Sequence, residues 1–292
     1  MSEEPSFIQT LEAGRPFKKL PWIGLIYGDG KCSKTGIATY APSPFFVALD
    51  PGVGWVFNHP IISQRCQTFK KGDNDLLVAQ NVSQVFDMMK WLMSNAKKLD
   101  AKTIVIDGIK FFEEWTYQQA VIDNPVIGEG DKAKKVKVFD DLAMERYDLT
   151  KCYWSRLMAG CHALRSKGFN VLLICHSALK NRTKDNGDQY KETVIDLPQW
   201  GSLNVPNMFH RECDWIYFID SQVQTATSGK GKWAKQVAKS ESEMNTRINT
   251  RATSAYYAGS RSANEDSIPD YYVFTRHDRD EVITQMFADL EA

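Results

Sequence analysis

Five short, mainly apolar runs punctuate the chain: Trp22–Tyr27, Phe45–Leu49, Thr103–Ile106, Asn170–Cys175 and Trp215–Ile219. Runs of this length without polar alternation fit strands covered on both faces, as in a parallel sheet. Between the second and third runs, Val82, Val85, Phe86, Met89 and Met93 recur at helical spacing across Val82–Leu99, with Asn81 or Ser83 as the N-cap. A longer helix is predicted from about Asp141 to Lys167. Its apolar stripe is Trp154, Leu157, Met158, Cys161 and Leu164, and Gly168 is its stop. A last strand-like run, Tyr271–Thr275, leads into a short helix ending at Ala292. Strands alternating with helices predict an α/β fold: a mostly parallel central sheet flanked by helices through right-handed crossovers.

Three segments lack this rhythm and read as insertions. Residues 124–137 carry one Pro, two Gly and four Lys, residues 178–205 are polar without a clear period, and residues 221–270 are rich in Ser, Thr, Ala, Asn and Lys. The organisation expected is a lead-in over residues 1–20 and a single domain over 21–292. A 292-residue chain that is 43% apolar has enough material for one large core. Its 36 basic and 36 acidic side chains cancel, which excludes a uniformly basic nucleic-acid binder but not a local basic groove. One such local excess lies between residues 230 and 251, where six Lys or Arg face two Glu. No apolar run approaches the roughly 18–20 residues of a membrane helix. The opening MSEEPSFIQT lacks an apolar signal core, and the six cysteines contain no C-x-x-C pair and read as reduced thiols. A cytoplasmic protein without a membrane partner is expected.

The most informative stretch follows the first apolar run: Gly28-Asp29-Gly30-Lys31-Cys32-Ser33-Lys34-Thr35, continuing into Gly36. It matches the phosphate-loop pattern G-x-x-x-x-G-K-[ST] except at Ser33, where the pattern has Gly. In such a loop successive backbone N–H groups surround a phosphate, and the helix that follows points its positive end at the same place. Lys34 then reaches the β- and γ-phosphates of ATP, and the Thr35 hydroxyl takes Mg²⁺. If the loop needs a positive φ at Ser33, the strain is about 1 kcal/mol. The competing reading is a Gly/Lys-rich turn that binds nothing.

Three other strand ends carry polar groups. Thr103-Ile-Val-Ile-Asp107 is a β-branched strand ending in a carboxylate, the arrangement that holds Mg²⁺ at a sheet edge. The second strand ends at Asp50, ahead of the turn pair Pro51-Gly52. The fourth ends in Cys175-His176-Ser177. If that strand lies between the first and third, His176 sits beside the γ-phosphate and senses it; otherwise it is a structural histidine.

Together the pieces IYGDGKCSKT (26–35), FFVALDPG (45–52), TIVIDG (103–108), NVLLICH (170–176) and CDWIYFID (213–220) resemble the RecA-like P-loop ATPases, especially phage-encoded nucleotide-binding proteins, some of which support single-strand annealing and recombination. The likeness spans roughly residues 20–220, with a weaker match at Thr275-Arg-His-Asp-Arg279. It implies Mg²⁺-dependent ATP hydrolysis and a homo-oligomer. It makes Asp50 the group that activates water, against the alternative of a turn residue. It gives Arg276 or Arg279 the role of an arginine finger donated to a neighbouring subunit, against a surface turn where Asp278 and Asp280 balance them. It also implies single-stranded DNA binding by the segment after the fourth strand. There Lys180, Arg182, Lys184 and Lys191 neutralise phosphates, while Trp200 and Tyr190 stack on bases. Lysines 132, 134, 135 and 137 form a second basic cluster. Solvated loops are often Lys-rich without contacting anything. The alternative functions are a nucleotide-gated binding or scaffold protein with little turnover, and a helicase-like or packaging motor.

Overall fold

The five apolar runs become the parallel core of a larger sheet. A computed structural model describes residues 20–71, 75–128, 133–183, 187–222, 225–228, 235–238, 245–261 and 268–291. Counting only the strands of the main sheet, these are β1 (Ile23–Gly28), β2 (Pro44–Ala48), β3 (Gln67–Thr68), β4 (Thr103–Asp107), β5 (Asn170–Thr183), β6 (Gln189–Ile195), β7 (Trp215–Gln222), β8 (Asn245–Asn249), β9 (Gly259–Ser260) and β10 (Tyr271–Phe274). Their order is β10-β8-β7-β1-β5-β4-β2-β3, with β6 paired to β5 and β9 to β7. From β7 to β3 every neighbour is parallel, whereas β8 and β10 extend one side antiparallel. The strand carrying His176 therefore lies between the strand of the phosphate loop and the strand of Asp107, with Gly28 opposite His176 and Asp107 opposite Ile174.

Side chains alternate from β1 into two cores, as a sheet covered on both faces requires. Ile23, Leu25 and Tyr27 pack with the helices α2 (Val82–Asn95), α3 (Ile109–Asp123) and α4 (Glu145–Ser166). Trp22 and Ile26 pack on the opposite side with Ile37 of α1 (Lys34–Ala38) and with Ile283, Met286 and Phe287 of α6 (Arg279–Glu291). At the centre of the first core the fully buried Trp154 meets Phe112 edge-on at 5.0 Å, and Phe209 of α5 (Val205–Glu212) at 6.1 Å. Asn81 caps α2 by accepting the Gln84 N–H at 2.9 Å.

The structure departs from the sequence reading in three places. The long helix starts at Glu145, not Asp141, because Ala143 takes φ 46 and Asp141 instead accepts the N–H groups of Lys137 and Val138 ahead of it. Helix α3 has no counterpart in the apolar pattern, since its buried face mixes Ile109, Phe112 and Ala120 with Glu113 and Thr116. The polar segment after Cys175 is not irregular: β5 continues to Thr183 and pairs with β6 as a two-stranded ribbon. A ribbon wetted on both faces needs no hydrophobic period, so the sequence carried no strand signal there. The lead-in, up to residue 19, lies outside the described residues, as do Lys132, Lys184 and much of 221–270. Among the described residues no helix is long and apolar enough to cross a membrane.

Candidate nucleotide-binding site

The carboxyl ends of β1, β4 and β2 meet the middle of β5, at His176, along one edge of the parallel core. This edge is the usual ligand crevice of open α/β sheets. A cavity of about 390 Å³ opens there, lined by Ser33, Lys34, Thr35, Asp50, Asp107 and His176 among others. That volume lies in the range of small-molecule sites. The four strand ends that the sequence singled out are thus brought together.

The loop between β1 and α1 is strongly turned. Lys31 and Ser33 both take left-handed backbone angles, φ 64 and φ 67. Left-handed residues interspersed with right-handed ones aim backbone N–H groups to one side, the geometry of an anion nest. Ser33 thus occupies the conformation for which the pattern has Gly. Lys34 is buried, and its ammonium donates to the carbonyls of Gly28 at 2.9 Å and Asp29 at 2.5 Å, with the Cys32 sulfur at 3.6 Å. The Thr35 hydroxyl donates to Asp107 Oδ2 at 2.6 Å. Burial pushes the Asp107 carboxyl up to about 7; the Thr35 hydrogen bond opposes this, and the nearby Asp50 charge adds to it.

Asp50 serves its turn as well as lining the cavity. Its Oδ1 accepts the Gly52 N–H at 2.7 Å, capping the turn Pro51–Val53. Gly108 (φ 88) lets the two acidic strand ends approach, because a Cβ there would lie 2.7 Å from the Asp50 Cβ. Burial, and then the Lys34 charge, lower the proton affinity of His176, so its ring is neutral at pH 7. The sequence reading missed two neighbours. Trp55, 46% exposed on the short helix Gly54–Asn58, lines the cavity mouth. A lone aromatic after a turn carries no motif. Ser177 donates to the Asp29 carboxylate, fastening the foot of the ribbon to the phosphate loop. The ribbon's return is fastened too: Asp196 N–H donates to the His176 carbonyl at 2.9 Å, and Lys110 of α3 donates to the Asp196 carboxylate at 3.0 Å.

A family model described as an AAA domain matches residues 20–262. The chain belongs to the AAA domain family. The match covers every strand end of the cavity, and such domains are nucleotide-binding P-loop ATPases. No curated protein matches the chain. Beyond the AAA domain match lie β10 and α6, with Arg276 and Arg279.

The remaining predicted site residues spread out. Lys180 and Arg182 share one face of the ribbon, where Arg182 pairs with Glu192 at 2.6 Å and Lys180 donates to Gln199 at 2.6 Å; Lys191 lies opposite Asn181 on the other face. Trp200 is 42% exposed, its ring tilted against Tyr117 at 5.7 Å. Arg279 lies against its own chain's Gly36: a Cβ at Gly36 would stand 2.0 Å from its guanidinium. Arg276 is exposed beside the same loop.

Proposed function

We propose that this AAA domain binds and hydrolyses Mg²⁺–ATP and acts, as a homo-oligomer, on single-stranded DNA in phage recombination or annealing. The observation that carries the nucleotide half is the Thr35–Asp107 hydrogen bond beside the buried Lys34, at a cavity floored by the nested loop. Hydroxyl and carboxylate oxygens are the hard donors that suit Mg²⁺, which when bound offsets charge on the β- and γ-phosphates. Lys34 exchanges its carbonyl contacts for phosphate oxygens. Asp50 keeps one oxygen on Gly52 and orients water with the other, while neutral His176 donates to the γ-phosphate. Catalysis then rests on positioning and fixed charge. Isothermal titration with ATP and Mg²⁺, and phosphate release, test this. Lys34→Ala should abolish both, and undiminished binding by that variant would refute the reading.

The DNA half is supported by the cations of the ribbon and by Trp200 beyond it. Fluorescence anisotropy with labelled single strands at low salt, with and without ATP, decides it; no binding in either condition removes it. One observation favours a second reading, a nucleotide-gated scaffold with little turnover: Ser33 stands at the left-handed position, and Asp50 is engaged in its turn. ATP binding without phosphate release, unchanged by Asp50→Asn, is the signature of that reading.

A further inference from the structure

A second cavity, of about 610 Å³, lies on the other side of the phosphate loop. Lys31 and Ser33, which also line the first cavity, form one wall; Phe274, Thr275, Arg276 and Arg279 form the other. The loop therefore divides two cavities that share residues. One is edged by Asp50 and Asp107, the other by two arginines.

The Arg279 guanidinium lies over the Tyr40 ring, 5.7 Å from its centroid. Asp278 and Asp280 are the adjacent acids in sequence, and both are occupied elsewhere. Asp278 accepts the N–H and hydroxyl of Thr275 at 2.6 and 2.7 Å, and Asp280 accepts the Tyr40 hydroxyl. No ion pair to Arg276 or Arg279 occurs among the described residues, and the Arg279 Nε is buried without a hydrogen-bond partner. Arg279 is half-buried and Arg276 exposed, so both present guanidinium N–H groups suited to charge-assisted hydrogen bonds with an anion at this wall. Gly36 is what admits the guanidinium to the loop, since any side chain there would collide with it.

We propose that the segment β10–α6 completes the nucleotide site in cis. The second cavity receives the nucleoside, Arg279 holds the α-phosphate, and Arg276 stands at the rim. This rests on the reading of the loop as a triphosphate cradle. A triphosphate seated on Lys34, Thr35 and Asp107 must release its nucleoside to one side of the loop. On one side Asp50 and Asp107 already offset Lys31 and Lys34, leaving no cation in excess for the α-phosphate. On the other stand two arginines without an ion pair among the described residues and the hydroxyls of Ser221, Thr246 and Thr275, a mixture suited to a phosphorylated ribose.

The test compares equilibrium binding of ATP, ADP and pyrophosphate to the wild type, Arg279→Ala and Lys34→Ala. Arg279→Ala should weaken ATP and ADP at least tenfold and leave pyrophosphate within twofold, whereas Lys34→Ala should lose all three. ATP and ADP affinities unchanged in Arg279→Ala, with Lys34→Ala inactive, would overturn this inference while leaving the cradle intact. A wild type that binds none of the three would overturn both. Recovery of ATP binding on mixing Arg279→Ala with Lys34→Ala protein would place the arginine across a subunit boundary and refute the cis assignment. If the Arg279 variant does not fold, phenylglyoxal modification of the wild type decides. ADP, but not pyrophosphate, should protect Arg279 in peptide maps, and absence of that protection refutes the proposal.

Discussion

Ser33 offers a clean test of the loop geometry. At φ 67 an L-residue is in the left-handed region, at a cost of about 1–2 kcal/mol, which glycine does not incur. Glycine in turn loses roughly 0.5–1 kcal/mol relative to alanine through the freedom of its unfolded chain. Ser33→Gly should therefore raise unfolding free energy by about 0.5–1 kcal/mol over Ser33→Ala, a difference of roughly 1–2 °C in melting temperature for a chain of this size. At an ordinary helical position the order is reversed by about 1 kcal/mol. Thermal and urea melts of the nucleotide-free variants measure it. An alanine variant as stable as the glycine variant would refute the reasoning. So would an unchanged melt accompanied by ATP binding tighter by about tenfold per 1.4 kcal/mol, because the loop would then be taking this shape only when nucleotide arrives.

Other predictions follow from the same structure. Burial raises the Asp107 carboxyl from near 3.8 to about 7. The folded chain therefore holds a proton that the unfolded chain releases, and metal-free stability should fall as pH rises from about 4 to 7 and then level off. Asp107→Asn should flatten that profile and gain on the order of a few kcal/mol at pH 8, while losing Mg²⁺-dependent ATP binding. A profile that keeps its slope in the variant would contradict the assignment. Trp154→Ala, at a fully buried site, should cost roughly 3–5 kcal/mol in urea unfolding. If the ribbon carries DNA, replacing Lys180, Arg182 and Lys191 together by Ala should make the salt dependence of single-strand binding shallower, by about 0.7 in log–log slope for each phosphate no longer neutralised.

Much of the nucleotide edge was legible because its signals are local. A strand followed by a glycine-rich turn and Lys34-Thr35 needs no tertiary information, and neither does a β-branched run ending at Asp107. The position of His176 required only that β5 fall between β1 and β4. The helix α3 was not legible, because Glu113 and Thr116 on its buried face break the apolar stripe. The ribbon was hidden for the opposite reason, since beyond Ile195 at its foot neither of its faces joins a core and its pairing is written in backbone groups. The place of Arg279 was out of reach of any local pattern. It depends on α6 returning to the loop across more than 240 positions of sequence and on Gly36 leaving room for it.

The bond from Ser177 to Asp29 joins the ribbon to the phosphate loop, and the tie from Asp196 to Lys110 joins its return to the helix that follows Asp107. Thermodynamic reciprocity then applies. Any ligand that grips the ribbon and alters those links changes the hold on nucleotide by the factor with which nucleotide changes the hold on that ligand. Measured from either end, the strength of this exchange must come out the same.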